Sequence, residues 1–466
     1  MNTPAVLVVG AGPSGLMQAL YLACTRGRKV IIVEQQKDVG GLFASARTPF
    51  GLIDVGVHLL LETGMPEWDT LYYEILSSQD WHILEGVRKD IGGNYIWGKL
   101  NDGALYPDLR QLPRHEYLEC LGDLFANLPP TIQPYGDFDS LEEYLVARFG
   151  PKTTERVFRP AAHKLWREDL DRLSSWAAKI VHFARVLTHD PTMSLVLKDS
   201  PVLDQVIGFP DQLSVPRSRL SSDRRGLYPR KYGLAGFVVA ARTKLEAHGV
   251  EILSSTQVAT LEAPGRSITT AVLRSEQGEQ RIPVSAVLWT SPLTSLLPLL
   301  GLQPTKPPDA PLPHRIVQLF LSERLQSGEL YWFWCLDPKL QAVRISNHSA
   351  YCPDAASNGL FPVCVETHVP TTDLSDQAAC DLVVEELRQM DLIRNTTAVR
   401  AAFVSPAQRS FFVPTLKNVR ALGEQRQQFT SVELKNLFLS TQDLSEGIFY
   451  LPDILRHSLS MLNALD

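Results

Sequence analysis

Cysteine is scarce and scattered. The six residues, Cys24, Cys120, Cys335, Cys352, Cys364 and Cys380, include no CxxC pair. Neither a disulfide framework nor a metal site is therefore predicted, and a reducing compartment is. An excess of one charge is also missing: 45 Lys and Arg stand against 51 Asp and Glu, a formal net charge of −6. That balance gives no electrostatic case for nucleic acid or an anionic membrane as partner. Long apolar runs are absent too. The most apolar stretch, Val284 to Leu302, is broken by Ser, Thr and Pro, which suits a strand followed by a helix rather than membrane insertion. The chain runs almost at once into its first strand, leaving no room for a secretory signal. A soluble, cytoplasmic protein is expected. No internal repeat or low-complexity tract interrupts the sequence. No Ser-His-Asp, Cys-His or carboxylate pair stands out as catalytic machinery, which is what cofactor-borne chemistry would leave.

What is present is concentrated between Ala5 and His58. The apolar run Ala5 to Val9 is followed at once by Gly10-Ala11-Gly12-Pro13-Ser14-Gly15, then by a helical pattern from Leu16 to Ala23. A second buried-type strand, Lys29 to Val33, ends in Glu34, 19 residues beyond the last glycine, Gly15. Gly10 permits the tight turn, Gly12 lets backbone approach a pyrophosphate, and Gly15 lets helix and strand pack closely. The helix N-terminus offers unpaired N–H groups and positive dipole to that anion. Pro13 costs nothing there, since a first-turn proline surrenders only an orphan donor. Glu34 would accept hydrogen bonds from an adenosine ribose. The pattern predicts an α/β protein with a Rossmann-like dinucleotide site.

Gly40-Gly41 and then Asp54-Val55-Gly56-Val57-His58 follow the acid. A terminal acid, a GG pair and a DxGxH turn in that order resemble the FAD enzymes that include amine oxidases, protoporphyrinogen oxidase, carotenoid desaturases and UDP-galactopyranose mutase. The resemblance implies FAD rather than NAD. It implies cofactor contacts from Gln35, Leu42, Gly56, Val57 and His58 besides the fingerprint, and a backbone clamp on adenine at Val258. It also implies a ribityl-binding acid at Asp443, and Phe449 and Tyr450 at a helix N-terminus facing the flavin pyrimidine. For Asp443 a helix-cap or turn role is the alternative. His58 is either an acid or base near the flavin or a structural histidine.

From about Leu60 to Arg225 helical patterns such as Leu141 to Phe149 dominate. Within them Arg148-Phe149-Gly150, Phe158-Arg159-Pro160 and Lys164-Leu165-Trp166 are similar to a signature of the mutase and its protoporphyrinogen-oxidase-like relatives. Plain helix packing around Phe158 and Trp166 is the alternative. Pro216 to Arg230 is rich in arginine, and a solvated linker is preferred over an anion site. From about Pro307 to Val404 strands prevail, among them Ile316 to Leu321, Tyr331 to Trp334 and Val363 to Glu366. Arg344, in the run Val343 to Asn347, matches a mutase arginine that contacts the sugar diphosphate; a surface arginine is the alternative. The expected organisation is an FAD-binding domain, discontinuous over 1–60, 226–306 and 405–466. A mostly helical region, 61–225, and a sheet-rich region, 307–404, are interleaved with it as the substrate domain.

Some departures from the mutase pattern bear on function. Thr441-Gln442-Asp443 stands where an arginine is expected, and Phe411-Phe412 lacks an expected hydroxyl. Only Lys179 and Arg185 lie where a second diphosphate arginine should follow Trp166. Each lost charge-assisted bond is worth ~1.5–3 kcal/mol. The sequence therefore predicts an FAD-dependent oxidoreductase taking hydride from a polar small molecule, such as a sugar or nucleotide-linked metabolite. His58, Arg344 and Tyr450 are its candidate catalytic residues. A nonredox mutase is the alternative, and a noncatalytic FAD-stabilised scaffold a third reading.

Overall fold

Short apolar runs from distant parts of the chain align to make the first sheet. Ala5–Val9 pairs in parallel with Val30–Val33 on one side and with the second half of Gly278–Trp289 on the other. Glu251–Leu253 adds beyond Val30–Val33, and Leu437–Leu439 beyond Gly278–Trp289, both also parallel. The first two strands are buried along their whole length, as continuous β-branched runs in a parallel sheet should be. The crossover after the first is the helix Pro13–Leu20, which widens into a π turn at Tyr21–Thr25. The early half of Gly278–Trp289 leaves the parallel core and pairs antiparallel with Thr270–Ser275, which in turn pairs with Gln257–Glu262. This computed structural model describes residues 3–220, 222–303, 306–312, 314–368, 374–405 and 412–465.

A second, seven-stranded sheet runs in the order Val399–Val404, Arg315–Leu321, Phe361–Thr367, Ala342–Asn347, Trp332–Cys335, Gly92–Ile96 and Lys99–Asn101. Its register decides which side chains share a face. Arg344 lies opposite both Trp334 and Glu366, and Ser346 opposite both Trp332 and Cys364. Gln318 lies opposite Cys364. Directly opposed residues point the same way, so one face carries Trp332, Trp334, Arg344, Ser346, Cys364, Glu366 and Gln318. The alternate positions, Phe333, Ile345, Val363, Val365, Val317 and Leu319, form a fully buried apolar face.

Two strands of that sheet, Gly92–Ile96 and Lys99–Asn101, come from the stretch whose sequence shows mainly helical patterns. Glycine is depleted in strands and hides them from a propensity argument. Here it is a packing requirement: a Cβ on Gly92 would lie 3.2 Å from the Trp332 indole, and one on Gly93 2.6 Å from the Asn101 carbonyl oxygen. Elsewhere in the stretch the helical patterns fold as helices. Leu141–Phe149 begins with a capping box between Ser140 and Glu143. Among the described residues no helix is long and apolar enough to cross a membrane. The run from Val284 folds as a strand to Trp289, then a short helix from Leu293.

Candidate functional site

The glycine fingerprint closes on itself. Gly10 adopts φ +108°, and a Cβ on Gly15 would sit 2.0 Å from the Gly10 carbonyl oxygen, so helix and strand touch backbone to backbone. Gly12 differs: it is extended, with φ −74° and ψ −179°, and a Cβ there would meet nothing within 4 Å. Open space therefore lies in front of the helix N-terminus headed by Pro13, where Ser14 Oγ accepts from Gln18 Nε2 at 2.6 Å. Glu34 is tied to the turn, accepting the Ala11 N–H at 2.8 Å and the Gln36 N–H at 2.8 Å. Gly40 donates its N–H to the Ala11 carbonyl at 2.8 Å, and Gly41 lies so close that its Cβ would be 3.0 Å from Gly12 Cα. Gln35 and Leu42 are exposed at this edge. Ser255 and Thr256 donate N–H groups to the Gln36 and Glu34 carbonyls at 2.9 Å each, and Val258, two residues on, is buried in the apolar core of this sheet.

These residues suit a dinucleotide. The open cradle at Gly12 lies beyond the carboxyl ends of the parallel strands, the crevice where such folds bind ligands. At the end of Leu437–Leu439, on the far side of Gly278–Trp289 from the fingerprint strand, the Ser440 Oγ is fully buried without a hydrogen-bond partner. Buried hydroxyls of that kind call for a ligand or water.

Asp443 is already occupied. Its Oδ1 accepts from the Ser445 N–H at 3.0 Å and the Ser445 hydroxyl at 2.5 Å, and its Oδ2 from Arg426 at 2.9 Å. The carboxylate serves the turn Leu444–Glu446, the alternative role for this acid. Seven residues on, Tyr450 is the N-cap of the last helix, Leu451–Asn463. Asp453 accepts the N–H groups of Tyr450 at 2.9 Å and Phe449 at 3.2 Å, and pairs with Lys179 at 2.7 Å.

The segment after the GG pair lies on the polar face of the second sheet. The Gly56 N–H points at Cys364 Sγ at 3.2 Å, and Gln318 Nε2 donates to the Asp54 carbonyl at 3.3 Å. A Cβ on Gly56 would sit 3.3 Å from Glu366 Oε1, 3.7 Å from Arg344 Nη2 and 3.7 Å from His58 Nε2. His58 and Arg344, far apart in sequence, thus meet around Gly56. Val57 adjoins them, half-buried against the core. Arg344 Nε donates to Glu366 Oε1 at 2.7 Å, and its guanidinium stacks 5.3 Å from the Trp334 ring. From Trp334 an aromatic wall continues to Trp332 at 5.9 Å, His182 at 6.2 Å and Tyr450 at a further 6.2 Å.

Burial dominates the titration of these groups. Desolvation, reinforced by the Arg344 charge, holds His58 down to about 4 and His182 down to about 4. Burial pushes up the carboxyl of Asp90, which accepts from Trp332 Nε1 at 2.8 Å. At neutral pH the wall carries uncharged histidines and one internally cancelled ion pair.

A buried network holds the Gly56 turn. Asp54 accepts from Ser45 at 2.5 Å, from the Tyr228 hydroxyl and from the Leu234 N–H. The Tyr232 hydroxyl receives the Asp54 N–H at 3.2 Å and bonds His348 Nδ1. Glu366, His182, Asp90, Tyr232 and His348 are absent from the sequence-based candidates. For Glu366 a signal existed, an acid in an otherwise apolar strand; for His182 none did.

Other candidates are engaged elsewhere. Arg185 bonds the Asp204 carbonyl at 2.9 Å and Tyr106 at 3.3 Å. Phe158 and Trp166 pack around Phe183 at 5.1 and 6.4 Å, and Arg148 bonds the Ala184 carbonyl at 2.9 Å, so that motif works as helix packing. Gln442 caps the Phe449 carbonyl at 2.8 Å. Phe411 lies outside the described residues. Among the described residues no cluster of ligands could hold a metal ion.

Comparison with known proteins agrees with this geometry. A family model described as an NAD(P)-binding Rossmann-like domain matches residues 8–75. Among solved structures, reduced UDP-galactopyranose mutase is similar over 100% of this chain and 94% of its own, at 14% identity and TM-score 0.74. A candidate protoporphyrinogen oxidase from Exiguobacterium sp. 255-15 matches over 100% and 99%, at 17% identity and TM-score 0.66. Wild-type putrescine oxidase bound to putrescine matches over 99% and 98%, at 14% identity and TM-score 0.59. The chain thus shares its overall fold with these three enzymes, and its residues 8–75 match an NAD(P)-binding Rossmann-like domain.

Proposed function

We propose that the protein is an FAD-dependent oxidoreductase that takes hydride from a C–H next to nitrogen or oxygen in a polar small molecule, such as a sugar or nucleotide-linked metabolite. The choice of FAD over NAD rests on the Gly40-Gly41 and Asp54–His58 turns and on the resemblance they carry. Domain limits follow the same reading: 1–60, 226–306 and 405–466 bind the cofactor, while 61–225 and 307–404 shape the substrate side. A reducing, cytoplasmic setting is supported by six free cysteines, five of them buried.

Bound FAD would supply the hydride acceptor. Gly12, Pro13, Ser14 and Gly15 would present backbone to its pyrophosphate, and Glu34 its carboxylate to the ribose. His58, held to about 4, stays a neutral imidazole at physiological pH; it would take a hydrogen bond from the substrate N–H or O–H beside Gly56 and pass the released proton on to water rather than keep it. The aromatic wall from Trp334 to Tyr450 would orient substrate and exclude water.

One observation carries the choice of redox over mutase chemistry: Arg344 is charge-paired with Glu366 at 2.7 Å. Recapturing a nucleotide diphosphate calls for free cationic clamps. Arg344 is cancelled by Glu366, Lys179 is bound to Asp453, and Arg185, though not charge-paired, is turned to the Asp204 backbone carbonyl and the Tyr106 hydroxyl. Net oxidation tolerates that loss. The test is anaerobic: candidate substrates should bleach the flavin of oxidised protein. Dithionite-reduced protein incubated with UDP-galactopyranose should yield no furanose; catalytic appearance of it would promote the mutase reading.

A further inference from the structure

Arg344 sits in mid-sheet between two residues in direct register with it. Trp334 on one neighbouring strand stacks against its guanidinium, and Glu366 on the other takes its Nε–H. The two charges differ in burial: the Glu366 side chain is 9% exposed and that of Arg344 24%. The carboxylate is thus the deeper of the two, and the guanidinium reaches further toward the open side. Among the described residues Nη1 and Nη2 make no hydrogen bond, and Nη2 lies beside Gly56, 3.7 Å from where a Cβ would stand. An arginine fixed this way has a donor edge for a ligand and no net charge to spend on it.

We propose that Glu366 is the specificity-determining residue of this site, cancelling Arg344 so that phosphorylated, multiply charged ligands, nucleotide-linked ones included, are rejected and uncharged polar ones such as sugars admitted, which narrows the substrate class proposed above. This rests on the reading of the Arg344 face as the substrate site. The neighbouring groups do not restore positive charge. His58 and His182 are neutral at pH 7, burial also holds His314 down, and Asp90 brings no cation. A phosphate dianion entering here would lose its hydration and face the Glu366 carboxylate behind the guanidinium. With the carboxylate removed, the same donor edge belongs to an unopposed buried cation, which must find an anion.

Calorimetric titration of flavin-loaded protein with inorganic pyrophosphate tests this. Wild type should show no saturable binding. Glu366→Gln, which keeps shape, and Glu366→Leu, which suits an apolar sheet, should each gain affinity by about tenfold to a hundredfold, the worth of one charge-assisted contact. Adding Arg344→Gln to either variant should abolish the gain. Three results overturn the proposal: wild type binding as tightly as the variants, folded variants that gain nothing, or a gain that survives Arg344→Gln. Should both Glu366 variants fail to fold, the wild-type titration decides, since binding that Arg344→Gln removes overturns it and no binding upholds it. Flavin absorbance of the same samples reports on the cofactor separately. If the protein is colourless, pyrophosphate held at Gly12 persists in the double variant and is thereby told apart.

Discussion

Replacing Gly12 by valine separates folding from cofactor binding. At most fingerprint positions a side chain breaks the fold. On Gly15 a Cβ would lie 2.0 Å from the Gly10 carbonyl oxygen and 3.0 Å from Thr290 Oγ1. Both partners of the close contact are backbone, so helix and strand must part by about 1 Å, an overpacking cost of ~3 kcal/mol or more. At Gly12 the backbone is extended and the space beyond it empty to 4 Å. Valine fits there without strain, and the loss of glycine entropy from the unfolded chain offsets its small cost, leaving stability within about 0.5 kcal/mol. The pyrophosphate, however, would have to retreat from the helix N-terminus and give up two charge-assisted N–H bonds, ~3–6 kcal/mol together. FAD affinity should fall by about a hundredfold to ten-thousandfold. Urea unfolding of the flavin-free proteins gives the stability. Flavin fluorescence quenching gives the affinity. In addition, FAD at a hundredfold excess over the wild-type Kd should stabilise wild type by ~2.7 kcal/mol and Gly12→Val by less than about 0.5 kcal/mol. Undiminished FAD affinity in a folded Gly12→Val protein would refute the placement of pyrophosphate at this turn.

Acid should weaken the fold earlier than carboxylate titration alone. His58 and His182 are held to about 4 and His348 to about 3 in the native state, against about 6.5 when unfolded. Their contribution is full above pH 6.5 and is lost as pH falls from there toward 4; Asp54, pushed up by burial, works in the opposite sense. The urea midpoint should therefore drop between pH 7.5 and 5, and a flat or rising profile contradicts the burial of these rings. Tyr232→Phe deletes the hydroxyl on His348 Nδ1 and strands a fully buried ring nitrogen. It should cost about 1–3 kcal/mol and shift the visible circular dichroism of bound flavin; a change under about 0.5 kcal/mol would mean that the hydroxyl does not hold the turn.

The dinucleotide unit was legible because its determinants are local. Gly10 through Glu34 specify turn, helix start and strand end by backbone rules that act within a few residues, and Glu34 indeed reaches the Ala11 N–H. The facing wall was legible only in part. The Arg344 strand was evident from its alternation, but its partner depends on register: Glu366 lies opposite only because Phe361–Thr367 pairs antiparallel at that offset, and periodicity does not encode offset. For Asp443 the sequence left a ligand contact and a turn role side by side: an acid after a terminal strand suits either, and the partner it finds here, Arg426 on the helix Leu416–Ser431, lies 17 residues upstream where no local rule points to it. His182, with φ +59° after the helix Ala177–Val181, had no sequence signal, since nothing in its neighbourhood requires histidine.

The pairing of Trp332–Cys335 with Gly92–Ile96, and of Leu437–Leu439 with Gly278–Trp289, has a consequence for biogenesis. During synthesis the nucleotide sheet waits for a strand near the end of the chain, and the first strand of the second sheet, Gly92–Ile96, waits for strands that begin only from Arg315 onward, the last of them Val399–Val404. The nucleotide sheet cannot close while the ribosome still holds Leu437–Leu439, nor the second sheet before Val399–Val404 has emerged, so apolar edges stay open through most of translation. Fragments cut at the apparent domain borders should aggregate rather than fold. The nascent chain of this protein is therefore a natural client for chaperones, and its yield on expression should respond to their supply more than to changes on its finished surface.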